Sequence, residues 1–280
     1  MTRRGESGSE LVALIAVVTV AGCSAGNIDV VELAPGALFE GLIAHWTFDD
    51  GAGTKLADST ANKRDGIVFP GAIFQPADAG HPGFGGFLRF YGTPMSEVDV
   101  PGFPQPTASW SVAGWIRAPD QDQAVGDGYV TIVSTEIPHT ATGPMAGGWE
   151  LNLRIGMPSN PTNNVSLYQY AYWKGPLDNS YSYQECKCFV PGEWAHVAGV
   201  YNADQQTIAI YHNGSLVGSD APEPNILRGT DILYFGRWGF DATSRRLIGD
   251  LDDFVIYNRT LTLPEIRELA RAPLPAMPPP

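Results

Sequence analysis

The chain has 280 residues, 44% of them hydrophobic and 11% aromatic, enough for one globular domain with a sizeable core and terminal extensions. Its 17 Lys and Arg face 30 Asp and Glu, a net charge of −13. This excludes the basic footprint that phosphate-backbone binding needs, so nucleic acid is not an expected partner, whereas divalent cations and neutral ligands are compatible. With 32 Gly, 23 Pro and helix patterning only near the end, the composition predicts an all-β fold.

The first segment reads as targeting and not as structure. Arg3 and Arg4 give a positive start diluted by Glu6 and Glu10, and residues 11–21 form an apolar run too short to span a bilayer. The run ends in Val20-Ala21-Gly22-Cys23. This resembles a bacterial lipobox, which implies residues 1–22 as signal peptide and acylation at Cys23. Two or three acyl chains anchor firmly where a single chain is marginal. The competing reading is an ordinary secretory signal cut near Ala25. Ser24 after the cysteine implies, by the same resemblance, outer-membrane sorting in a double-membraned cell. The expected location is thus the cell envelope, facing periplasm or exterior. Residues 23–40, polar and carrying Pro35-Gly36, read as a tether.

The domain is expected over 41–271. It opens at 42–48, where Leu42, Ala44, Trp46 and Phe48 alternate with Ile43, His45 and Thr47. A loop with Asp49-Asp50-Gly51, Gly53, Asp58-Ser59 and Asp65-Gly66 follows, its glycines permitting tight turns. Short strands at sandwich or jellyroll spacing are predicted over 87–90, 98–100, 110–116, 129–134, 149–155, 165–173, 181–189 and 194–201. Two alternating runs around Asn213-Gly214 predict a type I′ hairpin. Cys186 and Cys188 leave three readings open. Residues two apart in a strand sit near the upper limit for bridging, so a disulfide needs a bulge or turn; free thiols and a metal pair are the others.

The stretch 247–270 closes the domain. Ile248, Phe254 and Ile256 on one parity and Leu251, Val255 and Tyr257 on the other predict a strand in the middle of a packed structure. That count puts Asp252 on the face of Phe254, an expensive place for an unpaired carboxylate. Thr262 and Glu265 are spaced as a capping box, with Leu261 and Ile266 as a hydrophobic staple and Pro264 in the first turn. They predict a short helix turning Leu263, Ile266 and Leu269 inward. The proline-rich tail, 272–280, fits neither strand nor helix.

The run Gly249, Leu251, Asp252, Asp253, Phe254, Ile256, Tyr257, Arg259, Leu261, Thr262, Glu265 and Ile266 resembles the closing strand and helix of laminin G-like, concanavalin A-like jellyroll domains. The segments 43–66, WSVAGWI at 110–116 and WAHVAGVY at 194–201 are similar to other strands of that family. The resemblance covers about residues 41–271. It implies a jellyroll β-sandwich of two antiparallel sheets with a short C-terminal helix.

It also implies a structural calcium held near Asp49, Asp58 and Asp252, with Asp50 and Asp65 as neighbouring oxygen donors. The residues themselves equally allow Asp49 and Asp58 to cap turns and Asp252 to pair with Arg89, Arg237 or Arg259. A second candidate site comes from the residues alone. Tyr168, Tyr170 and Tyr172 share a parity with Trp173 beside them, Tyr181 and Tyr183 share another, and Trp238 lies in a loop-like run. Such rows can stack on sugar rings and bond hydroxyls; they can equally be cross-strand packing.

No catalytic constellation is visible. Hydrolases on this fold place Glu-x-Asp-x-x-Glu on one strand; here Glu150 stands alone, and Asp250 and Asp252 lack a third carboxylate. The expectation is therefore a lipid-anchored surface module and not an enzyme. Carbohydrate is its first ligand class, with protein binding, assembly or adhesion second and glycoside hydrolysis third. The partners are a glycan or cell-surface protein, and the membrane through the lipid.

Overall fold

The computed structural model describes residues 33–275 except 35, 79, 82, 106, 119–128, 136–147, 155–166, 173–181, 186–188, 191, 222–228 and 240–242, with backbone alone at 129, 154, 167–172, 182–185 and 220. The predicted targeting segment, Cys23, Trp173, Tyr181, Cys186 and Cys188 lie outside the described residues. Among those described, sixteen strands and one helix are numbered in chain order.

The first sheet holds β1 (Leu42–Trp46), β4 (Ala72–Gln75), β5 (Phe87–Tyr91), β7 (Trp110–Arg117), β12 (Trp194–Asn202), β13 (Thr207–His212), β14 (Ser215–Asp220) and β16 (Ile248–Tyr257). Its order is β14-β13-β12-β7-β16-β5-β4, with β1 paired to the far half of β16. The second sheet runs β11 (Ser182–Glu185), β10 (Leu167–Tyr172), β9 (Trp149–Arg154), β8 (Tyr129–Ser134), β15 (Ile232–Phe235), β6 (Val98–Pro101), β3 (Gly66–Val68) and β2 (Lys55–Leu56). The pairings are antiparallel throughout, the jellyroll-like sandwich that the resemblance implies. Four strands go beyond the sequence expectation: β2, β3, β4 and β15. Each is only two to four residues long, too short for a period to register.

One face of each sheet builds the core. Trp46 and Phe48 meet Phe235 edge-on from the other sheet at 5.2 and 5.7 Å, and Phe254 completes the group at 5.5 Å from Phe235. All four are fully buried. Each such side chain contributes roughly 1.5–3 kcal/mol by burial alone, and the edge-to-face contacts add roughly 0.5–1.5 kcal/mol apiece. Gly114 on β7 makes room for Phe254, whose ring a Cβ there would strike.

The closing strand departs from its predicted alternation. Asp253 takes φ 46°, and the register with β7 jumps between Asp252 and Val255. This bulge reverses the parity. Leu251, Phe254 and Ile256 line the inter-sheet core together, while Val255 and Tyr257 join a second cluster with Leu261, Ile266 and Leu269. Asp252 therefore does not share the face of Phe254. It pairs in register with Trp115, on the outer face of the first sheet.

Helix α1 (Leu263–Leu269) has the predicted capping box, with Thr262 N donating to Glu265 Oε2 at 2.8 Å. Ile266 and Leu269 are buried, but Leu263 is exposed. As the first helical residue it points away from the sheet, and Leu261 fills the inward position instead. The Asn213-Gly214 hairpin forms as predicted, with φ of 46° and 74°.

Candidate functional site

Asp58 is buried and spends both carboxylate oxygens on its own loop and on the neighbouring β1. Oδ1 accepts from His45 N (3.0 Å) and Thr60 N (2.9 Å), and Oδ2 from Thr60 Oγ1 (2.9 Å) and Arg64 N (2.8 Å). Asp49 accepts from Gly86 N at 2.5 Å. Asp252 lies close enough to Asp49 and Asp253 for their charges to act on it. Burial, then those two carboxylates, push its own carboxyl up to about 9. Among the described residues, no group of three or more His, Cys, Asp or Glu is arranged to hold a metal ion. Of the arginines proposed for Asp252, none reaches it. Arg89 and Arg117 bind Asp250, Arg237 faces Glu97 and Arg259 grips Glu265. The neighbour of Asp252 is His81, with Nδ1 3.2 Å from Oδ2.

His81 belongs to a feature the sequence did not indicate. Its ring stacks on Phe84 at 3.7 Å and on Trp194 at 4.3 Å, with Trp115 tilted against it at 4.7 Å. Burial lowers its imidazole to about 4. Beside this stack the Arg117 guanidinium lies over the rings of Phe87 and Trp194 and pairs with Asp78 and Asp250. The segment between β4 and β5 is thereby pinned to the outer face of the first sheet.

The second sheet differs. The run Trp149-Glu-Leu-Asn-Leu-Arg alternates, and Trp149, Leu151 and Leu153 enter the core. Paired positions of an antiparallel ladder share a face, so register assembles the opposite, outer face. One row runs Ile67, Asp99, Tyr234, Ser134, Glu150, Ala171, and another Thr131, Asn152, Gln169, Tyr183. Glu150, Asn152, Thr131 and Ser134 are buried on it.

The segment joining β15 to β16 contributes arginines. Arg237 lies 3.9 Å over the Tyr234 ring, with Nε 3.3 Å from Glu97, and Arg246 bonds Glu97 at 3.0 Å. Arg245 stands 3.6 Å from Glu150 and 4.0 Å over Trp238, which is half-buried beneath it. Burial pushes the Asp99 carboxyl up to about 6; Arg237 opposes that rise and Glu97 adds to it.

Of the aromatic candidates, Tyr168, Tyr170 and Tyr172 occupy the register positions of Leu153, Leu151 and Trp149, whereas Tyr183 falls in the row of Asn152. The structure thus brings Tyr183 and Trp238 to the second sheet's outer surroundings and places the other three opposite core residues. Thr131, Asn152, Asp99 and Arg237 are additions; the polar parity of β9 was a signal for Asn152 alone.

A family model described as the concanavalin A-like lectin/glucanases superfamily matches residues 92–267. The chain belongs to that superfamily. Among solved structures, this concanavalin A-like chain is similar to the botulinum neurotoxin type G receptor binding domain, at 15% identity and TM-score 0.59, covering 83% of this chain and 51% of that one. It is similar, at 16% identity and TM-score 0.59, to the botulinum neurotoxin serotype D ligand binding domain in complex with N-acetylneuraminic acid, covering 82% and 50%. The binding domain of paraclostridial mosquitocidal protein 1 matches at 16% identity and TM-score 0.58, covering 83% and 52%. The chain spans about half the length of these structures, and at such identity the likeness is one of fold. No curated protein matches the chain.

Proposed function

We propose that this concanavalin A-like domain is a non-catalytic glycan-binding module held at the cell envelope by lipid on Cys23. The observation that carries the reading is the outer face of the second sheet. Thr131, Ser134, Glu150 and Asn152 are buried on it, Asp99 and Trp238 are half-buried, and Arg237 and Arg245 lie over buried Tyr234 and over Trp238. Aromatic surface next to convergent polar groups is what a sugar requires. The serotype D neighbour bound to N-acetylneuraminic acid supports carbohydrate as a ligand class for the fold, as an analogy only. Glu150 has no second carboxylate opposite it in register, which supports binding over hydrolysis. The lipid anchor rests on the small residues before Cys23.

The test is a glycan panel probed with the full-length protein, once with calcium and once with chelator, and assayed in parallel for released sugar. Binding without release is the expected result. Release of sugar overturns the non-catalytic reading. A blank panel with folded protein overturns the carbohydrate reading and directs attention to a protein partner.

A further inference from the structure

Seven large apolar side chains stand exposed among the described residues, and four of them share one edge of the sandwich. They are Ile67, Ile73, Tyr91 and Met95, between 45% and 50% exposed. Here the chain crosses from β3 in the second sheet to β4 in the first, alongside the segment that runs from β5 to β6. Gly71 N donates to Met95 O at 2.9 Å and Phe69 N to Glu97 O at 3.1 Å, which ties the two crossings together. Ile67 lies on the outer face of the second sheet. Ile73 pairs with Arg89 and lies, like Tyr91, on the outer face of the first. The apolar residues therefore wrap a convex rim.

Two observations bear on what meets this rim. Neither crossing carries a charge: residues 66–77 and 90–96 contain no Asp, Glu, Lys or Arg, in a chain whose net charge is −13. Beside them, Arg89 is paired with Asp250 and Glu97 with Arg246. The second observation is that much of the backbone here offers no donor to a partner. Pro70, Pro76 and Pro94 have no N–H. Ala72 N donates to Phe69 O, Ser96 N to Thr93 O and Tyr91 N to Ser96 Oγ. An edge that receives a partner's strand presents a row of free donors; these are turned inward. A backbone satisfied from within is what a bilayer demands, and a convex apolar rim enters a fluid medium without needing a matching groove.

We propose that this rim is a membrane contact, in which Ile67, Ile73, Tyr91 and Met95 enter the interfacial region of a bilayer with uncharged headgroups. Tyrosine suits that boundary, where its ring is apolar and its hydroxyl stays wet. The contact goes beyond the glycan-binding reading and depends neither on it nor on acylation at Cys23. A shallow apolar contact is reversible by itself. Beside a covalent lipid it would fix which edge of the domain lies against a membrane.

The experiment uses the full-length chain as Cys23→Ala, so that no acyl chain carries it, with phosphatidylcholine vesicles. The apolar run of residues 11–21 is common to parent and variants. Sedimentation reads partition, and oxidation by hydroxyl radicals in the water reads side-chain exposure. The protein should sediment with the vesicles, and oxidation of Ile67, Ile73, Tyr91 and Met95 should slow when it does. Ile73→Asp and Met95→Asp should each lose about tenfold in partition while melting as the parent does. The footprint uses the parent's own residues, so it decides even where a variant melts lower. Absence of partition, or partition with the rim oxidised at an unchanged rate, overturns the proposal. Variants that partition like the parent overturn it too. Oxidation that slows with protein concentration in the absence of vesicles makes a second copy the occupant and overturns the bilayer. No sugar enters the experiment, so glycan recognition stands or falls separately.

Discussion

Asp253 reaches from the closing strand to the opening one, its Oδ1 2.5 Å from His45 Nε2, while its Oδ2 accepts from Leu274 N at 3.0 Å. Ser59 Oγ stands 2.9 Å from the other ring nitrogen. Three distant segments meet on one carboxylate that is almost wholly buried. Removing it takes the partner from His45 Nε2 and from the Leu274 amide, so Asp253→Ala should cost about 3 kcal/mol. Asp253→Asn should cost less, because asparagine tolerates positive φ and its amide oxygen still accepts from Leu274. Urea unfolding of the two variants checks the order; equal losses would put the whole effect on the carboxylate's contact with His45 and none on the backbone of the bulge.

This bulge also shows where sequence reading stopped. The Asn213-Gly214 turn and the Thr262–Glu265 box are each completed by residues within four positions of one another, and both formed as predicted. The parity of 247–257 was misjudged because one residue at positive φ flips every side chain after it. Nothing in the strand announces that residue; His45, over two hundred positions away, holds it. The tyrosines of β10 share the same difficulty. Their alternation was legible, but which parity faces the core is decided by pairing to β9. The polar parity of β9 was equally legible, whereas its burial depends on what lies above.

Arg259 joins the two ends of the domain. Its guanidinium binds Glu265 at 2.6 and 3.0 Å and the carbonyls of Glu40, Ala37 and Thr260 at 2.7, 2.8 and 3.2 Å. Burial works to raise the Glu265 carboxyl, but this fork and the Thr262 contacts together hold it below its usual range. A lysine is a point charge and cannot serve both a carboxylate and diverging carbonyls. Arg259→Lys should lose about 2 kcal/mol, with faster hydrogen exchange confined to residues 37–42 and α1. Exchange that quickens uniformly would instead place Arg259 in the global core.

The Asp99 carboxyl gives the stability a pH dependence of unusual sign. Its unfolded value is about 4, and burial raises it to about 6 when folded. Between these values the folded state holds the extra proton, so the contribution is fully present below about pH 4 and is lost as pH rises to about 6. Buried His196, lowered to about 3 by desolvation, acts oppositely, its stabilisation fading as the solution is acidified below its unfolded value. Subtracting urea midpoints of Asp99→Asn from those of the parent between pH 4 and 7 isolates the first term. The difference should fall with rising pH, and a flat difference would show Asp99 to be solvated.

Asp58 tests the calcium that the family resemblance implies. Three of its four acceptor contacts go to donors of its own short loop and the fourth to His45 N on β1, the arrangement of a turn organiser. Asp58→Ala strands three backbone N–H groups, two of them on buried residues, so about 3 kcal/mol should be lost. Because protein donors already occupy both oxygens, the loss should be the same in calcium and in chelator. Asp58→Asn should recover part of it, since the amide oxygen can still accept from His45 and Thr60. A loss that appears only when calcium is supplied would move Asp58 from loop organiser to ligand, with Asp49 the next residue to substitute.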